Sequence, residues 1–284
     1  MNDADPTLFL RMDDESFDRL SMYVTREYGI KLPANKKPML ESRLNKKVKS
    51  LGMENYRQFL EYIFSDEGRH RELVNVIDLI TTNKTDFFRE PAHFQYLQQS
   101  FLPDYLKDYG YRSLNVWSAG CSTGEEPYTL LMVFEEFKKH QPFFTYSLMA
   151  SDISTRVIQA SYNGIYHKDR IAEIPPDMKR TYFLRSKRID DNLVRVKPEF
   201  RKNITYRRIN LMDNAYGIQN ASLDIIFCRN VLIYFDKPTQ EKVIRKFAAC
   251  LRPGGLLFLG HSESLMGMNV TMKQLRPTVY QQLQ

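Results

Sequence analysis

The stretch NVWSAGCSTGEEPY, residues 115–128, decides the fold. An apolar run ends at Ala119, a turn of small residues lies between Gly120 and Gly124, and a helix is predicted to begin near Glu126. This order is typical of a doubly wound α/β fold, in which the turn brings backbone close to a ligand and the helix N-terminus offers N–H groups to a carboxylate. The alternative is that these glycines serve only as helix caps.

After Ile80, strand-like apolar runs alternate with helical stretches. Buried runs separated by helices predict a parallel sheet with helices on both faces. Residues 165–203 break the rhythm with a polar stretch that contains three prolines, which we interpret as an inserted subdomain. The strands are expected in 113–119, 145–152, 204–210, 223–230, 255–262 and 278–283, and the helices in 126–140, 155–162 and 238–250.

The first 82 residues predict a small helical domain instead. Helices are expected over 15–28, 37–51, 55–64 and 69–80, and glycines at 29 and 52 end the first two. In the second helix one apolar stripe spans about 80° of the helical wheel and is the predicted buried face. The residues of this stripe are Leu40, Leu44, Val48 and Leu51.

Positive charge is concentrated in this domain. The chain carries a formal net charge of +7, and the segment from Lys31 to Arg57 contains eight basic and two acidic residues, a balance of +6. Such concentration argues against a basic face spread along the molecule for nucleic acid. One flank of the second helix is either a solvated face or a docking surface for an acidic partner. Its basic residues are Lys36, Arg43, Lys46 and Lys47.

Several protein classes are disfavoured by composition. No apolar run approaches the ~18 residues that a membrane span needs, and the acidic N-terminus lacks the apolar region of a secretory signal. Cys121, Cys228 and Cys250 are widely spaced, without a CxxC pair, so neither a disulfide framework nor a zinc site is indicated. We therefore expect a cytoplasmic protein without a bound metal.

Polar residues follow the predicted strands, where the carboxyl ends of parallel strands meet. Asp152 ends the second strand and could accept two ribose hydroxyls, or could cap the next helix. Asn210 follows the third strand and could position an adenine edge, or could be a turn asparagine. Arg229, Asn230 and Tyr234 follow the fourth. Tyr234 could lie against a sulfonium group, a contact worth ~0.5–2 kcal/mol, or could be an ordinary packing residue.

Six blocks of the sequence resemble the chemotaxis receptor methyltransferases of the CheR family. They are TTNKTDFFRE (81–90), WSAGCSTGEEPY (117–128), ASDIS (150–154), INLMD (209–213), FCRNVLIYFD (227–236) and LRPGGLLFLGHSES (251–264), and they occur in the family's order. The first 80 residues match mainly in helical pattern and basic charge. The resemblance implies an α/β protein with a small all-α N-terminal domain (1–82) and a class I, Rossmann-like methyltransferase domain (83–284), which carries an inserted β-subdomain at about 165–203.

The resemblance also implies an activity and a site. The cofactor would be S-adenosylmethionine, the product S-adenosylhomocysteine, and the acceptor a glutamate side chain on the cytoplasmic helices of chemoreceptors. Cofactor contacts are implied for Asn83, Thr85, Arg89, Glu126, Asp152, Asn210, Leu211, Arg229 and Asn230. Arg89 and Tyr234 are the predicted catalytic residues, with Arg89 orienting the incoming carboxylate.

Partners follow from the same resemblance. The basic flank of Lys36, Arg43, Lys46 and Lys47 would dock acidic receptor helices. Some family members hold a receptor tether peptide at the insert, but SKRIDDN (186–192) replaces the glycine-containing loop expected there, so tethering stays open.

Two alternative functions remain. A nucleic-acid methyltransferase is disfavoured because CRNV (228–231) stands where an Asn-Pro-Pro-Tyr-like or Pro-Cys motif would be expected. A non-catalytic cofactor sensor is disfavoured by the presence of Arg89 and Tyr234. Tight cofactor binding without transfer to any receptor would distinguish the sensor.

Overall fold

The structure, a computed structural model, describes residues 9–188 and 191–283 and divides into two compact units. The N-terminal unit extends to Thr82 and includes Tyr234–Asp236. The C-terminal unit contains Asn83–Ile233 and Lys237 onward. Within the described ranges, no helix has both the length and the apolar character needed to cross a membrane.

Five α-helices make up the described part of the N-terminal unit. They are α1 (Asp14–Tyr28), α2 (Lys37–Ser50), α3 (Tyr56–Phe64), α4 (Asp66–Arg71) and α5 (Leu73–Ile80). The single helix predicted over 69–80 was wrong, because the backbone leaves helical geometry at Glu72 (φ −125°) and a separate helix starts earlier. Ser65 caps that helix by accepting the Gly68 N–H at 3.2 Å. A Cβ at Gly68 would stand 1.9 Å from the Tyr62 carbonyl oxygen, so glycine permits the close approach of α4 to α3.

The buried face of α2 is partly polar. Leu40, Leu44 and Val48 are fully buried, but Glu41 and Asn45 are buried beside them. The Glu41 carboxylate accepts the Met12 N–H at 2.8 Å, and the Asn45 amide donates to the Leu10 carbonyl oxygen at 2.8 Å. These two side chains hold the preceding segment against the helix, a function that the apolar pattern does not reveal.

The C-terminal unit contains two sheets. Their strands are β1 (Leu114–Ala119), β2 (Tyr146–Asp152), β3 (Ile165–His167), β4 (Phe183–Arg185), β5 (Leu193–Val196), β6 (Ile204–Arg208), β7 (Leu223–Cys228), β8 (Leu251–Leu259), β9 (Met272–Arg276) and β10 (Val279–Gln282). The helices of this unit are α6 (Ala92–Tyr96), α7 (Leu102–Tyr109), α8 (Glu125–His140), α9 (Thr155–Asn163), α10 (Pro176–Tyr182), α11 (Pro198–Arg201) and α12 (Lys237–Cys250).

The large sheet has the order β6-β2-β1-β7-β8-β10-β9. The first five strands are parallel, and β10 runs antiparallel to both of its neighbours. The strand order reverses between β1 and β7, and ligands of open α/β sheets bind at the carboxyl ends of the strands at such a point. The mostly parallel α/β fold is therefore confirmed, with an antiparallel edge that the sequence pattern did not predict.

The insert forms a sheet of its own in the order β3-β5-β4, with both pairs antiparallel. Its inner face is apolar and buried, with Tyr166, Phe183, Val194 and Val196 packed into the core. Ile189 and Asp190 of the SKRIDDN stretch lie outside the described residues.

Candidate active site

Three loops meet at the carboxyl edge of β1, β2 and β7. They are the glycine turn after β1, the residues after Asp152 at the end of β2, and residues 229–233 after β7. The neighbouring strands pair in parallel, so these loops leave the sheet at the same edge. Parallel pairing of these strands therefore brings together the candidate side chains that these three loops carry.

The glycine turn is tight because protein atoms fill the space beside both glycines. Gly120 (φ +83°) and Gly124 (φ +101°) adopt backbone conformations that L side chains rarely adopt. A Cβ at Gly120 would lie 2.5 Å from Val231 Cγ2, and one at Gly124 would lie 2.2 Å from Ser161 Oγ. Glycine is thus required here for packing against the 229–233 loop and α9. The sequence pattern predicted a close approach to a ligand at this turn and did not predict this packing.

Asp152 is held rigidly beside this turn. Its carboxylate accepts the Ser122 N–H at 2.9 Å and the Ser154 N–H at 3.0 Å, and the residue is buried. The cap of α9 is Ser154, whose hydroxyl accepts the Val157 N–H at 3.3 Å, so the alternative role of Asp152 as that cap is wrong. These two backbone donors fix the carboxylate at the end of β2 beside the glycine turn.

A buried ion cluster lies next to the turn. The Arg229 side chain is 2% exposed and pairs with Glu90 at 3.1 Å and with Glu126 at 3.3 Å. It also donates to the Arg89 carbonyl oxygen. Ser118 Oγ donates to the other Glu126 oxygen at 2.7 Å. Arg229 therefore ties segment 83–90 to the start of α8, and it is a structural cation as well as a predicted cofactor contact.

The two carboxylates of this cluster respond differently to burial. Burial raises the pKa of Glu126, and Arg229 and the Ser118 hydroxyl offset that rise only in part. Burial also acts to raise the pKa of Glu90, but the positive charge of Arg229 and the His261 N–H outweigh it, so the Glu90 pKa is lowered. Glu90 therefore stays ionised as the counter-charge of Arg229.

Segment 83–90 is fixed by contacts from the rest of its unit. The Ser122 hydroxyl donates to the Asn83 carbonyl oxygen at 2.9 Å, and Arg170 of the insert donates to that of Thr85. Arg170 also pairs with Asp86 at 3.0 Å and with the buried Glu125 at 2.6 Å. The insert thus helps to hold the segment that carries the predicted cofactor contacts.

Arg89 is half-buried at the end of this segment. Its guanidinium donates to the Lys84 carbonyl oxygen at 3.1 Å, which uses one of its five N–H donors. Phe88 (φ +52°) and Glu90 (φ +57°) flank it in the left-handed region, which is sparsely populated by non-glycine residues. Such strain is common at functional sites.

Asn210 and Leu211 follow β6 in a tight turn. The Asn210 side-chain oxygen accepts the Met212 N–H at 3.0 Å, which is the turn role that the sequence left open. The Leu211 carbonyl oxygen accepts from Lys246 Nζ at 2.6 Å and from the Tyr216 hydroxyl at 3.0 Å. Both residues lie after the strand that pairs with β2, and a contact with an adenine stays a prediction.

Asn230 combines an uncommon backbone conformation with a buried side-chain oxygen that lacks a hydrogen bond among the described residues. Its backbone is left-handed (φ +60°), and its side-chain oxygen is buried without a hydrogen-bond partner among the described residues. A Cβ at Gly260 would stand 2.6 Å from Asn230 Nδ2, so glycine leaves room for this amide. A buried polar atom without a partner is uncommon and costly, and a ligand donor would satisfy it.

Tyr234 belongs to the N-terminal unit. It ends a short 3-10 turn, Leu232–Tyr234, and is half-buried. Its carbonyl oxygen accepts the Lys31 N–H at 3.0 Å. Its catalytic role stays a prediction.

The predicted basic flank of α2 divides into two pairs. Arg43 donates to the carbonyl oxygens of Ile80 at 2.6 Å and Thr81 at 2.9 Å, and therefore caps the end of α5. Lys47 pairs with Glu72 at 2.5 Å. Lys36 and Lys46 are exposed. Half of the predicted docking residues thus have a structural function in their own unit.

Three side chains that organise the site were not predicted from the sequence. They are Glu263, Glu90 and Arg170, and each acts across a long chain separation, such as the 139 residues between Glu90 and Arg229. Glu263 lies within the quoted LRPGGLLFLGHSES block, and Glu90 ends the quoted TTNKTDFFRE block. No local signal identified their partners.

Comparison with known proteins gives a consistent match. A family profile described as "CheR methyltransferase, SAM binding domain" matches residues 83–281, and one described as "CheR methyltransferase, all-alpha domain" matches residues 15–81. The chain is 34% identical to a chemotaxis protein methyltransferase of Borreliella burgdorferi over 96% of both chains. It is also 34% identical to one of Escherichia coli, over 95% of this chain and 92% of the relative. A chemotaxis protein methyltransferase of Klebsiella aerogenes is 35% identical to this chain, over 95% of this chain and 90% of the relative.

Proposed function

The chain belongs to the CheR family of S-adenosylmethionine-dependent chemotaxis methyltransferases, and on this premise we propose that it methylates glutamate side chains of chemoreceptors, forming glutamyl methyl esters. The observation that carries the proposal is the group of acceptors at the carboxyl edge of the sheet. Glu126, Asp152 and the unpartnered Asn230 oxygen follow or adjoin three neighbouring strands. Their combined acceptor character suits a cofactor rich in hydroxyl and amino donors and positive in charge.

The residues present fit S-adenosylmethionine. Asp152, fixed by two backbone N–H groups, would hold ribose hydroxyls, and Glu126 would hold another polar group of the cofactor. The buried Asn230 oxygen would gain the donor that it lacks within the protein. When bound, the cofactor supplies a methyl group on a positively charged sulfur.

The proposed reaction requires alignment more than proton transfer. A glutamate acceptor with a pKa near ~4.3 is already ionised at neutral pH, so the protein needs no general base. Arg89, anchored by one N–H group to the Lys84 carbonyl oxygen, has further donors with which to orient a carboxylate. We also assign a positioning role to Tyr234, as predicted from the sequence.

Receptor docking would depend on two exposed lysines, one just before α2 and one within it. Lys36 and Lys46 remain as cations at the surface, whereas Arg43 and Lys47 have partners in their own unit. Acidic receptor helices would be attracted by this surface, and that attraction should weaken as salt increases. The outward face of the insert carries exposed Ile165, Leu184 and Leu193, a surface that would suit a tether peptide.

The direct test uses methyl-labelled S-adenosylmethionine and membranes that contain chemoreceptors. We expect label on receptor that mild alkali releases as methanol, because carboxyl methyl esters hydrolyse readily. Label that resists alkali would contradict glutamate esterification. Cofactor binding without any transfer would favour the sensor alternative.

Arg89→Ala tests the positioning role of that residue. We expect kcat for receptor methylation to fall about 100-fold, the scale associated with loss of a positioning contact. Cofactor affinity is measured in parallel by calorimetry, with Lys84→Ala as a control, because its backbone carbonyl is retained. Full turnover with weakened cofactor binding would restrict Arg89 to a binding role.

A further inference from the structure

One buried carboxylate organises the loop that carries Asn230. The side chain of Glu263 accepts four backbone N–H groups, two on each oxygen. One oxygen takes the Leu232 N–H at 2.7 Å and the Ile233 N–H at 3.3 Å. The other takes the Asn230 N–H at 2.9 Å and the Gly260 N–H at 2.6 Å. The carboxylate therefore joins the loop after β7 to the loop after β8.

This arrangement requires a carboxylate and no other side chain. Only an ionised carboxylate presents acceptors on both terminal atoms. A glutamine in its place would direct an NH₂ group at two N–H donors in either amide orientation, which leaves at least two donors without an acceptor. Buried donors left without a partner cost about 1–3 kcal/mol each.

The loop that Glu263 holds is under backbone strain and lies at the predicted cofactor site. Asn230 has a positive φ of 60°, and Val231 fills the space beside Gly120. Strained backbone persists only where surrounding contacts fix it. Two of the Glu263 bonds go to residues 230 and 232, on either side of Val231. Glu263 thus sets both the direction of the Asn230 amide and the contact of the loop with the glycine turn.

We infer that Glu263 is a positioning residue for cofactor binding, which acts by holding the 230–233 loop so that the Asn230 side chain faces the ligand. The inference rests on the proposed cofactor contact of Asn230. It predicts that loss of the Glu263 carboxylate weakens the binding of S-adenosylmethionine and S-adenosylhomocysteine in addition to any effect on folding stability.

Asp224 provides a matched control for Glu263. Asp224, near the start of β7, is fully buried and accepts the Asn115 N–H at 2.6 Å. It also pairs with Arg112 at 3.2 Å and with Arg252. Asp224 and Glu263 are both buried carboxylates with backbone donors, but Asp224 is near the amino end of β7, away from the loops of the site. Asp224→Asn therefore reports the effect of general destabilisation.

The experiment compares Glu263→Gln, Glu263→Asp and Asp224→Asn in the full chain, by calorimetric titration with S-adenosylhomocysteine and by thermal unfolding. We expect Kd to rise at least tenfold in Glu263→Gln and less than twofold in Asp224→Asn. Glu263→Asp keeps the charge but shortens the reach, and we expect an intermediate increase. If Glu263→Gln does not fold, the aspartate variant alone decides.

The outcomes separate the inference from the proposed function. Unchanged Kd in both Glu263 variants would overturn the positioning role, whatever the receptor assay shows. A rise in Kd that Asp224→Asn reproduces would also overturn it, because general destabilisation would then be sufficient. The KM for S-adenosylmethionine should rise in step with Kd if receptors are the substrate. Absence of methyl transfer by the unchanged protein would overturn the proposed function and leave the binding comparison valid.

Discussion

The two units of the molecule use their basic side chains differently. In the C-terminal unit, Arg229 is buried between Glu90 and Glu126 and joins distant parts of the chain. In the N-terminal unit, Arg43 caps α5, whereas Lys46, on the same helix, is exposed. The number of basic residues in a segment therefore does not give the number of charges available to a partner. Four predictions test this distinction.

Loss of Arg229 should have the largest effect. Arg229→Met leaves Glu90 and Glu126 buried without their counter-charge, and removing one partner of a buried ion pair typically costs about 3–5 kcal/mol. We expect the free energy of unfolding in urea to fall by that amount. Adding Glu90→Gln should restore part of the loss, since it removes one uncompensated charge. A loss below about 1 kcal/mol would show that the cluster is weakly coupled to folding.

The buried His93 should make the C-terminal unit sensitive to acid. Burial, and then the charge of Arg229, lower the pKa of His93 from 6.5 to about 4, while Glu90 opposes the shift. His261 also faces the ring, with ring centroids 6.0 Å apart. The unfolded chain takes up the proton below pH 6.5 and the native protein does not. The contribution of His93 to stability is therefore fully retained above pH 6.5 and is lost as the pH falls to about 4. The free energy of unfolding decreases by about 3 kcal/mol over this range.

His93→Gln isolates this contribution. The variant does not titrate in this range, and its amide can still pair with the Thr278 hydroxyl, which lies 2.8 Å from His93 Nε2. Unfolding free energies of both proteins are measured from pH 7 to pH 4. As the pH decreases, the free energy of unfolding of the parent should fall faster than that of the variant. Parallel curves would show that His93 takes up its proton in the native state.

Arg43 should matter for stability and Lys46 should not. Arg43→Met removes charged hydrogen bonds to the Ile80 and Thr81 carbonyl oxygens, and we expect a loss of about 1–2 kcal/mol. Lys46→Met, on the exposed side of the same helix, should change stability by less than about 0.5 kcal/mol. Urea unfolding followed by circular dichroism measures both. Equal losses would contradict the division of the basic flank.

The exposed lysines should affect association alone. Lys36→Glu combined with Lys46→Glu is expected to raise the KM for receptor several-fold at low salt, leave kcat unchanged and alter stability by less than about 0.5 kcal/mol. The difference from the parent should shrink at high salt. Lys242→Glu combined with Lys273→Glu makes the same charge change at exposed lysines in the other unit. If that control raised the KM equally, net charge and not docking would explain the effect.

The strands of the sheet could be predicted where burial is continuous. β7 is buried at every position, so its apolar run is unmistakable. β9 is largely exposed, and its sequence therefore lacks the pattern that identifies a strand. The helix predicted over 69–80 failed for a different reason, since the cap at Ser65 and the close packing at Gly68 start a separate helix.

The residues of the candidate site also differ in how far the sequence alone reveals them. Asp152 and Asn230 were proposed from the sequence because polar residues at the ends of buried strands are visible there. The carboxylate of Glu263 was not, because its importance depends on four N–H groups brought together by two loops. A single sequence records the residue and not the arrangement of its donors.

The sequence by itself determined the alternation of buried strands and helices in the C-terminal unit, the glycine turn and the carboxylate at the end of β2, because burial periodicity, caps and turns act over a few residues. Only the tertiary structure decided that Arg229 is an internal counter-charge, that Arg43 caps α5 and that Glu263 fixes the Asn230 loop. These contacts join residues far apart in the chain. Their strength depends on which groups are removed from water together, and that is set by packing.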